Sequence, residues 1–318
     1  MGRLLFLACL TVLLLWSMPS AGAQAWTQEA GHAYVKVSQS FAAASSRYDA
    51  DGTVVPYNET TNGSFRDRST YLYGEFGVSS RLTFAASVPY KRLYVTDETF
   101  EPTFERESSA WGTAVVGARY DIGPSLGLSP NEPTVLAANL GVGIPMGYTR
   151  NYDPAVGPGQ LDLQATLNVG RSFWPFPGYA QAGLGYRRRT SSFGFSTATV
   201  CMNDQVDGDG HACLPDEDAR RSYGDEFLFS AEGGVTLGPV LFQALVDAHW
   251  SVSAPVPPEG VTVILPEGFE LQRYILVGAG VTVYGPLGFG LSLQAFGAAH
   301  AQNTLGGSQI FVGLERKF

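Results

Sequence analysis

The sequence predicts an all-β fold, an antiparallel transmembrane β-barrel of about 12 strands that follows a cleaved signal peptide. Three observations support this prediction. Segments of alternating polar and apolar residues recur along the chain, each close to the length a tilted strand needs to cross a membrane. The connections between them are alternately short and long. Charged residues make up only 15% of the 318 residues, which is low for a soluble β-sandwich of this size.

The first 23 residues have the layout of a secretory signal peptide. Arg3 gives a positive start, residues 4–16 form a short apolar run, and Ala21-Gly22-Ala23 is a small-residue cleavage site. We therefore expect residues 24–318 to form the mature barrel as one domain. A lipoprotein signal at Cys9 is disfavoured, because the apolar run continues past it.

The segment 240–250 shows the alternation most clearly. Val240, Phe242 and Trp250 fall on one face, whereas Gln243 and His249 fall on the other. A strand with one apolar and one largely polar face fits a wall between lipid and a wet lumen. The same pattern predicts strands at 31–41, 66–78, 82–93, 108–120, 134–144, 160–173, 179–190, 223–237, 240–250, 269–283, 287–298 and 308–318.

The connections predict the orientation of the barrel. Short or Gly/Pro-rich turns alternate with longer loops, and the longest of these loops is 191–222. In outer-membrane barrels the short turns face the periplasm. We therefore expect both termini to be periplasmic and the protein to lie in the outer membrane of a Gram-negative bacterium. A formal net charge of −9 argues against binding to nucleic acid.

The loop 191–222 carries the strongest local motif. Cys201 and Cys213 are the two cysteines left after signal cleavage, and in an oxidising compartment they are expected to pair. Between and beyond them the spacing resembles a calcium loop, although Gln and Asp stand at its first and last positions where Asp and Glu are usual. The candidate calcium ligands are Gln205, Asp207, Asp209 and Asp216. The alternative is an acidic, disulfide-closed loop that binds no metal, and no other cofactor is expected.

Polar residues on the predicted inward faces are candidates for lining the lumen. They can serve as packing within the barrel or as part of a pathway, and the sequence does not separate these roles. The main candidates are Glu75, Arg119, Arg187, Glu232, Gln243, Asp247 and His249, with Tyr34, Lys36, Tyr71, Tyr73, Gln181, Glu226, Gln272 and Glu315 beside them. No G-x-S-x-G or H-E-x-x-H motif is present, so we do not expect an enzyme.

Two further features concern the membrane and assembly. Aromatic residues cluster near the predicted strand ends, which favours interface girdles; they are Tyr71, Tyr73, Tyr90, Trp111, Trp174, Phe176, Trp250 and Tyr284. Phe318 ends an amphipathic last segment and is a candidate signal for the barrel-assembly machinery, although Arg316 interrupts the apolar face. Outer-membrane lipids and lipopolysaccharide are the other expected partners.

An ordered set of short motifs resembles the outer-membrane transporter family associated with the MetA pathway of phenol degradation. The matching features are Trp26 and Gly31, Asp51-Gly52, residues 73–78, residues 87–90, residues 117–120, residues 143–147 and residues 183–187. Residues 109–112 depart from the family pattern, and the disulfide loop is an insertion. The resemblance implies a barrel that passes small molecules, apolar or aromatic ones among them.

The function expected from these features is passive transport of small molecules. A barrel of about 8–12 strands has a lumen that side chains largely fill, so wide diffusion is not expected. The alternative is a structural or surface-interaction barrel whose calcium-stabilised loop makes the contacts. A third possibility is a soluble periplasmic β-sandwich.

Overall fold

The computed structural model describes residues 25–57, 63–97, 104–129, 132–147, 154, 156–157, 159–190, 224–252, 271–285 and 287–318. Its β-segments are β1 (Ala33–Ala44), β2 (Ser46–Tyr48), β3 (Val54–Pro56), β4 (Ser64–Asp67), β5 (Thr70–Ser79), β6 (Leu82–Asp97), β7 (Phe104–Trp111), β8 (Thr113–Asp121), β9 (Thr134–Pro145), β10 (Asp162–Ser172), β11 (Gly178–Arg189), β12 (Glu226–Leu237), β13 (Val240–Ser251), β14 (Arg273–Tyr284), β15 (Phe289–Gln302), β16 (Thr304–Leu305) and β17 (Ser308–Lys317). A single 3-10 turn, Gly123–Leu126, lies between β8 and β9.

One sheet of 14 segments closes on itself to form the barrel. It contains 12 wall strands, because β4 with β5, and β7 with β8, each make up one strand with a short break. Each wall strand pairs antiparallel with its neighbours in chain order, and β1 pairs with β17 from Tyr34–Lys317 to Ala43–Ser308. The predicted fold class is therefore confirmed, and each predicted strand corresponds to one wall strand.

The two ends of the barrel differ. The turn end, as we call it, carries the short connections, among them Ser80-Arg81 and Gly238-Pro239. Gly238 has a φ of +59°, which a glycine adopts without strain and which allows the tight turn between β12 and β13. The opposite, loop end carries the longer connections, and there β16, β2 and β3 form a separate three-stranded sheet. Ala33 and Phe318, near the two chain ends, exchange backbone hydrogen bonds at the turn end.

The outward face of the wall is apolar. Outward-pointing leucines in the middle of the wall are among the most exposed large hydrophobic residues that the structure describes, with Leu140 at 67%, Leu167 at 62% and Leu184 at 62%. Exposed apolar surface this extensive is unfavourable in water but matches the hydrocarbon of a bilayer. Within the part of the chain that the structure describes, no helix is long and apolar enough to span a membrane.

Two apolar clusters lie inside the wall toward the loop end. Phe65, Leu93 and Val95 pack with Val156, a residue of the connection between β9 and β10 that is 0% exposed. A second cluster joins Tyr274, Leu276 and Ala301 across β14 and β15 and has Tyr48 against it. Residues from outer connections therefore fold inward and pack against the wall strands at this end.

Candidate functional site

Alternation along the strands determines which side chains reach the lumen. On β13, Gln243 and His249 point inward, and His249 is 3% exposed. Phe242 and Trp250, on the other face of the same strand, are exposed to 49% and 40%. On β17, Gln309 is buried whereas Ile310 is exposed, as the alternation of this segment indicates.

A cavity of about 560 Å³ lies inside the barrel. It is bounded by β10 to β15, β17, β1 and β5, and by the short segment before β1. About half of its lining residues are aromatic or aliphatic; they include Trp26, Tyr34, Tyr71, Tyr73, Tyr179, Leu241, Leu245, Leu276, Tyr284, Phe296 and Phe311. The others are polar or charged; they are Thr27, Gln28, Lys36, Ser38, Ser172, Gln181, Ser230, Glu232, Gln243, Asp247, Thr282, Gln294, Glu315 and Lys317. A concave space that combines apolar surface with polar groups can hold a small molecule.

Glu232 on β12 faces this cavity and is held by neutral donors. Gln243 Nε2 donates to its Oε1 at 2.7 Å, and Gln181 Nε2 donates to its Oε2 at 3.1 Å. The Tyr179 hydroxyl also donates to Oε1. Among the described residues, no Lys, Arg or His side chain forms an ion pair with Glu232. The carboxylate is therefore fixed in position while its negative charge stays uncompensated at the cavity wall.

A second carboxylate, Glu315 on β17, also faces the cavity. The hydroxyls of Tyr34 and Tyr284 donate to its two oxygens at 2.9 and 3.1 Å. Lys36 Nζ lies 3.5 Å from Oε2, so this carboxylate has a cationic partner. The contacts of Glu315 with Tyr34, Lys36 and Tyr284 connect β17 to β1 and β14, and thus stabilise the wall where the first and last strands of the barrel meet.

A buried cluster of charges lies on β11 to β13 and adjoins the cavity through Asp247. Arg187 Nη1 and Arg189 Nη2 lie 3.1 and 2.7 Å from the carboxylate of Glu226. His249 Nδ1 lies 3.2 Å from the same carboxylate, and its Nε2 lies 3.4 Å from Asp247. Both ring nitrogens thus face carboxylates. This arrangement cross-links three strands.

The predicted lumen residues fall into two groups. Glu232, Gln243 and Asp247 border the cavity. The others are buried in charge clusters that connect neighbouring strands or hold the segment before β1; they are Glu75, Arg119, Arg187 and His249. Whether any of these residues lines a path for solutes stays a prediction.

The sequence analysis missed the segment before β1. Residues 25–28 lie inside the barrel at the turn end, and Trp26, Thr27 and Gln28 border the cavity. Arg119 Nη1 donates to the carbonyl oxygen of Trp26 at 2.8 Å. The sequence analysis began the first strand at residue 31, and in the structure this strand begins at Ala33, so Trp26 lies before the wall. The only signal in the sequence was an aromatic residue shortly after the predicted cleavage site.

Three predictions concern other parts of the chain. The candidate calcium ligands Gln205, Asp207, Asp209 and Asp216 and the pair Cys201–Cys213 lie outside the described residues. Phe318 is 59% exposed at the turn end, and the guanidinium carbon of Arg316 lies 4.7 Å from the centre of its ring. Its role in assembly stays a prediction. Tyr71 and Tyr73, included among the girdle residues, instead point inward and are 4% and 8% exposed.

Comparison with known proteins finds similarity of fold. A solved outer-membrane channel from Pseudomonas putida F1 superposes with a TM-score of 0.66 at 11% identity, over 93% of this chain and 98% of that one. The toluene transporter TbuX of Ralstonia pickettii matches with a TM-score of 0.44 at 11% identity, over 92% and 90% of the two chains. The translocator domain of autotransporter NalP from Neisseria meningitidis matches with a TM-score of 0.47 at 9% identity, over 91% and 90%. No family model and no curated protein sequence matches the chain.

The first of these similarities supports the fold alone, because identity is low. The TM-scores of the other two are too low to support an argument. The class that the fold defines is therefore the 12-stranded antiparallel transmembrane β-barrel, with a partly filled lumen.

Proposed function

We propose that this chain is an outer-membrane channel for passive passage of small molecules. The observation that carries the proposal is the cavity of about 560 Å³ inside a closed barrel with an apolar outer surface. Its size lies within the range of about 300–1,000 Å³ that is typical of sites for small ligands. The fold shared with the Pseudomonas putida outer-membrane channel is consistent with this function. The turn end would then face the periplasm.

We further propose apolar or aromatic molecules as cargo. One wall of the cavity is formed by Leu241, Leu245 and Leu276, and Phe296 and Phe311 continue it. Such a surface favours solutes that lose apolar contact with water on binding. The motif resemblance to the family associated with phenol degradation supports the same cargo class, and it rests on the order of the motifs alone.

Single-channel conductance in planar bilayers tests this function. The refolded chain from Gln24 onward is expected to give discrete conductance steps. Toluene or phenol is expected to shorten or block them, whereas a sugar of similar size leaves them unchanged. A barrel that inserts but stays silent, or one that shows no preference between these solutes, would contradict the proposed channel or its cargo respectively.

A further inference from the structure

Three arginines stand close together on the outward face of the wall, toward the loop end. Arg66 lies on β4, Arg68 in the break between β4 and β5, and Arg92 on β6, and all three are exposed. The backbone N–H of Arg68 donates to the carbonyl oxygen of Arg92 at 2.9 Å, and the register of β4 on β6 places these two residues directly opposite each other. Arg66 pairs with Tyr94 and is therefore the diagonal neighbour of Arg92. These three residues are here called the arginine cluster.

The positive charge of the arginine cluster is not balanced by the protein. Like charges on directly opposed residues of a sheet are destabilising. Among the described residues, no carboxylate forms an ion pair with any of the three guanidinium groups. Glu107 on β7 lies opposite Tyr94 and is exposed, but it does not pair with them. In a chain of net charge −9, arginines held together without a carboxylate partner form a surface that attracts an anion.

The depth of the arginine cluster in the wall indicates which anion it meets. Arg92 stands ten residues beyond Leu82, the first residue of β6 at the turn end, and a tilted strand crosses the hydrocarbon in about 9–11 residues. The rings of Tyr90 and Trp111 pack edge to face on the adjoining turn of the wall, with centroids 5.2 Å apart, and the guanidinium carbon of Arg92 lies 5.9 Å from the Tyr90 ring. Aromatic rings of this kind mark the boundary between hydrocarbon and headgroups. The arginine cluster therefore lies at headgroup level at the loop end.

We propose that the arginine cluster binds the phosphate groups of lipid A, the membrane anchor of lipopolysaccharide in the outer leaflet. Guanidinium groups bind phosphate oxygens in pairs, and a phosphate between Arg68 and Arg92 replaces their repulsion with two attractive contacts. Leu72 and Phe76 on β5 continue the outward face toward the turn end and are exposed, so they offer apolar surface to the acyl chains of the same lipid. The proposal requires the loop end to face outward, and it does not depend on conduction through the barrel.

The sign of a stability change tests the site. The chain from Gln24 onward is refolded in phosphatidylcholine vesicles with and without lipid A that carries both phosphates, and the urea midpoint is measured. Arg68→Gln is expected to raise the midpoint in phosphatidylcholine alone, because it removes a repulsion, and to lower it in vesicles that contain lipid A, because it removes a phosphate ligand. The matched control is Arg188→Gln on β11, an exposed arginine toward the loop end that pairs with Leu163 rather than with another arginine. It is expected to keep the rise in midpoint that lipid A gives the unmodified chain.

Equal effects of Arg68→Gln and Arg188→Gln in both kinds of vesicle would overturn the proposal, since the cluster would then be no different from a single rim arginine. The same holds if lipid A does not raise the midpoint of the unmodified chain.

Direct binding separates lipid A from other anions. Native mass spectrometry of the full mature chain in detergent measures the bound fraction of lipid A. Each of Arg66→Gln, Arg68→Gln and Arg92→Gln is expected to weaken binding about fivefold, and lipid A without its phosphates is expected to bind weakly to the unmodified chain. Displacement of lipid A by inorganic phosphate, or equal binding of phosphatidylglycerol, would show a general anion site and overturn the assignment to lipid A. A chain that binds lipid A in this way but passes no current would contradict the proposed channel and leave the lipid site standing.

Discussion

Arg119 and Glu75 form an ion pair inside the barrel, with Nη2 2.9 Å from Oε1 and side chains that are 2% and 0% exposed. The pair also holds the segment before β1, because Arg119 donates to the Trp26 carbonyl and Glu75 accepts from Gln28. Burial makes this pair costly to break, since either partner left alone is a charge away from water.

Arg119→Leu is expected to lower the free energy of unfolding by about 3–5 kcal/mol, because it leaves the Glu75 carboxylate without its cation. Urea unfolding in lipid vesicles, followed by tryptophan fluorescence, measures this. The double variant Glu75→Gln/Arg119→Leu is expected to recover part of the loss, since no charge then stays buried. The control is Arg171→Leu on the exposed outward face of β10, and an equal loss in this control would contradict the argument.

The outward leucines test the position of the bilayer. Leu167 lies near the middle of β10 and is 62% exposed. Leu167→Arg is expected to cost about 2–4 kcal/mol of unfolding free energy in vesicles, because it places a charge in the hydrocarbon. Leu126→Arg, in the 3-10 turn at the turn end, is expected to cost about 0–1 kcal/mol near the interface. Equal costs at the two positions would mean that β10 does not face the bilayer centre.

The wall strands could be predicted from sequence because alternation and turns are local properties. The predicted segment 240–250 is β13, and its inward face is the one the alternation indicates. The assignment of Tyr71 and Tyr73 to the girdle was wrong. Both stand an even number of residues from Glu75 along β5, so strand alternation places all three side chains inside the barrel. Alternation therefore predicted the direction of these side chains correctly, whereas their position near a strand end did not.

The position of the segment before β1 and the charge clusters could not be predicted in this way. Trp26 contacts Arg119 across 93 residues of sequence, and Ala25 contacts Gln181 across 156. Such contacts depend on which strands are neighbours around the closed barrel and on what fills the space between them, and no local pattern of residues encodes either. The cavity likewise exists only because packing on one side of the lumen is incomplete.

Phe318 is expected to matter for assembly rather than for the stability of the assembled barrel. It lies exposed at the turn end, where its backbone exchanges hydrogen bonds with Ala33 and its ring contacts the guanidinium of Arg316. Deleting Phe318 is expected to reduce the yield of heat-modifiable barrel in outer membranes, while the urea midpoint of the protein that does assemble stays the same. Phe289→Leu, which removes the other ring beneath Arg316, is the control and is expected to assemble normally. A normal yield without Phe318 would contradict its role as an assembly signal.

Glu232 is expected to give the channel a preference for cations. Its carboxylate is fixed at the cavity wall by Gln243 and Gln181, and it has no cationic partner among the described residues, unlike Glu315, which has Lys36. An uncompensated negative charge in a confined lumen attracts cations and repels anions. Under a KCl gradient, Glu232→Gln is therefore expected to shift the reversal potential toward zero, because the substitution removes the charge and keeps an oxygen that can accept from Gln243 and Tyr179. Glu132→Gln, an exposed residue in the connection between β8 and β9, is the matched control and should leave the potential unchanged. If Glu232→Gln retains the selectivity of the unmodified chain, the ions do not pass this carboxylate, and the path must run elsewhere in the lumen.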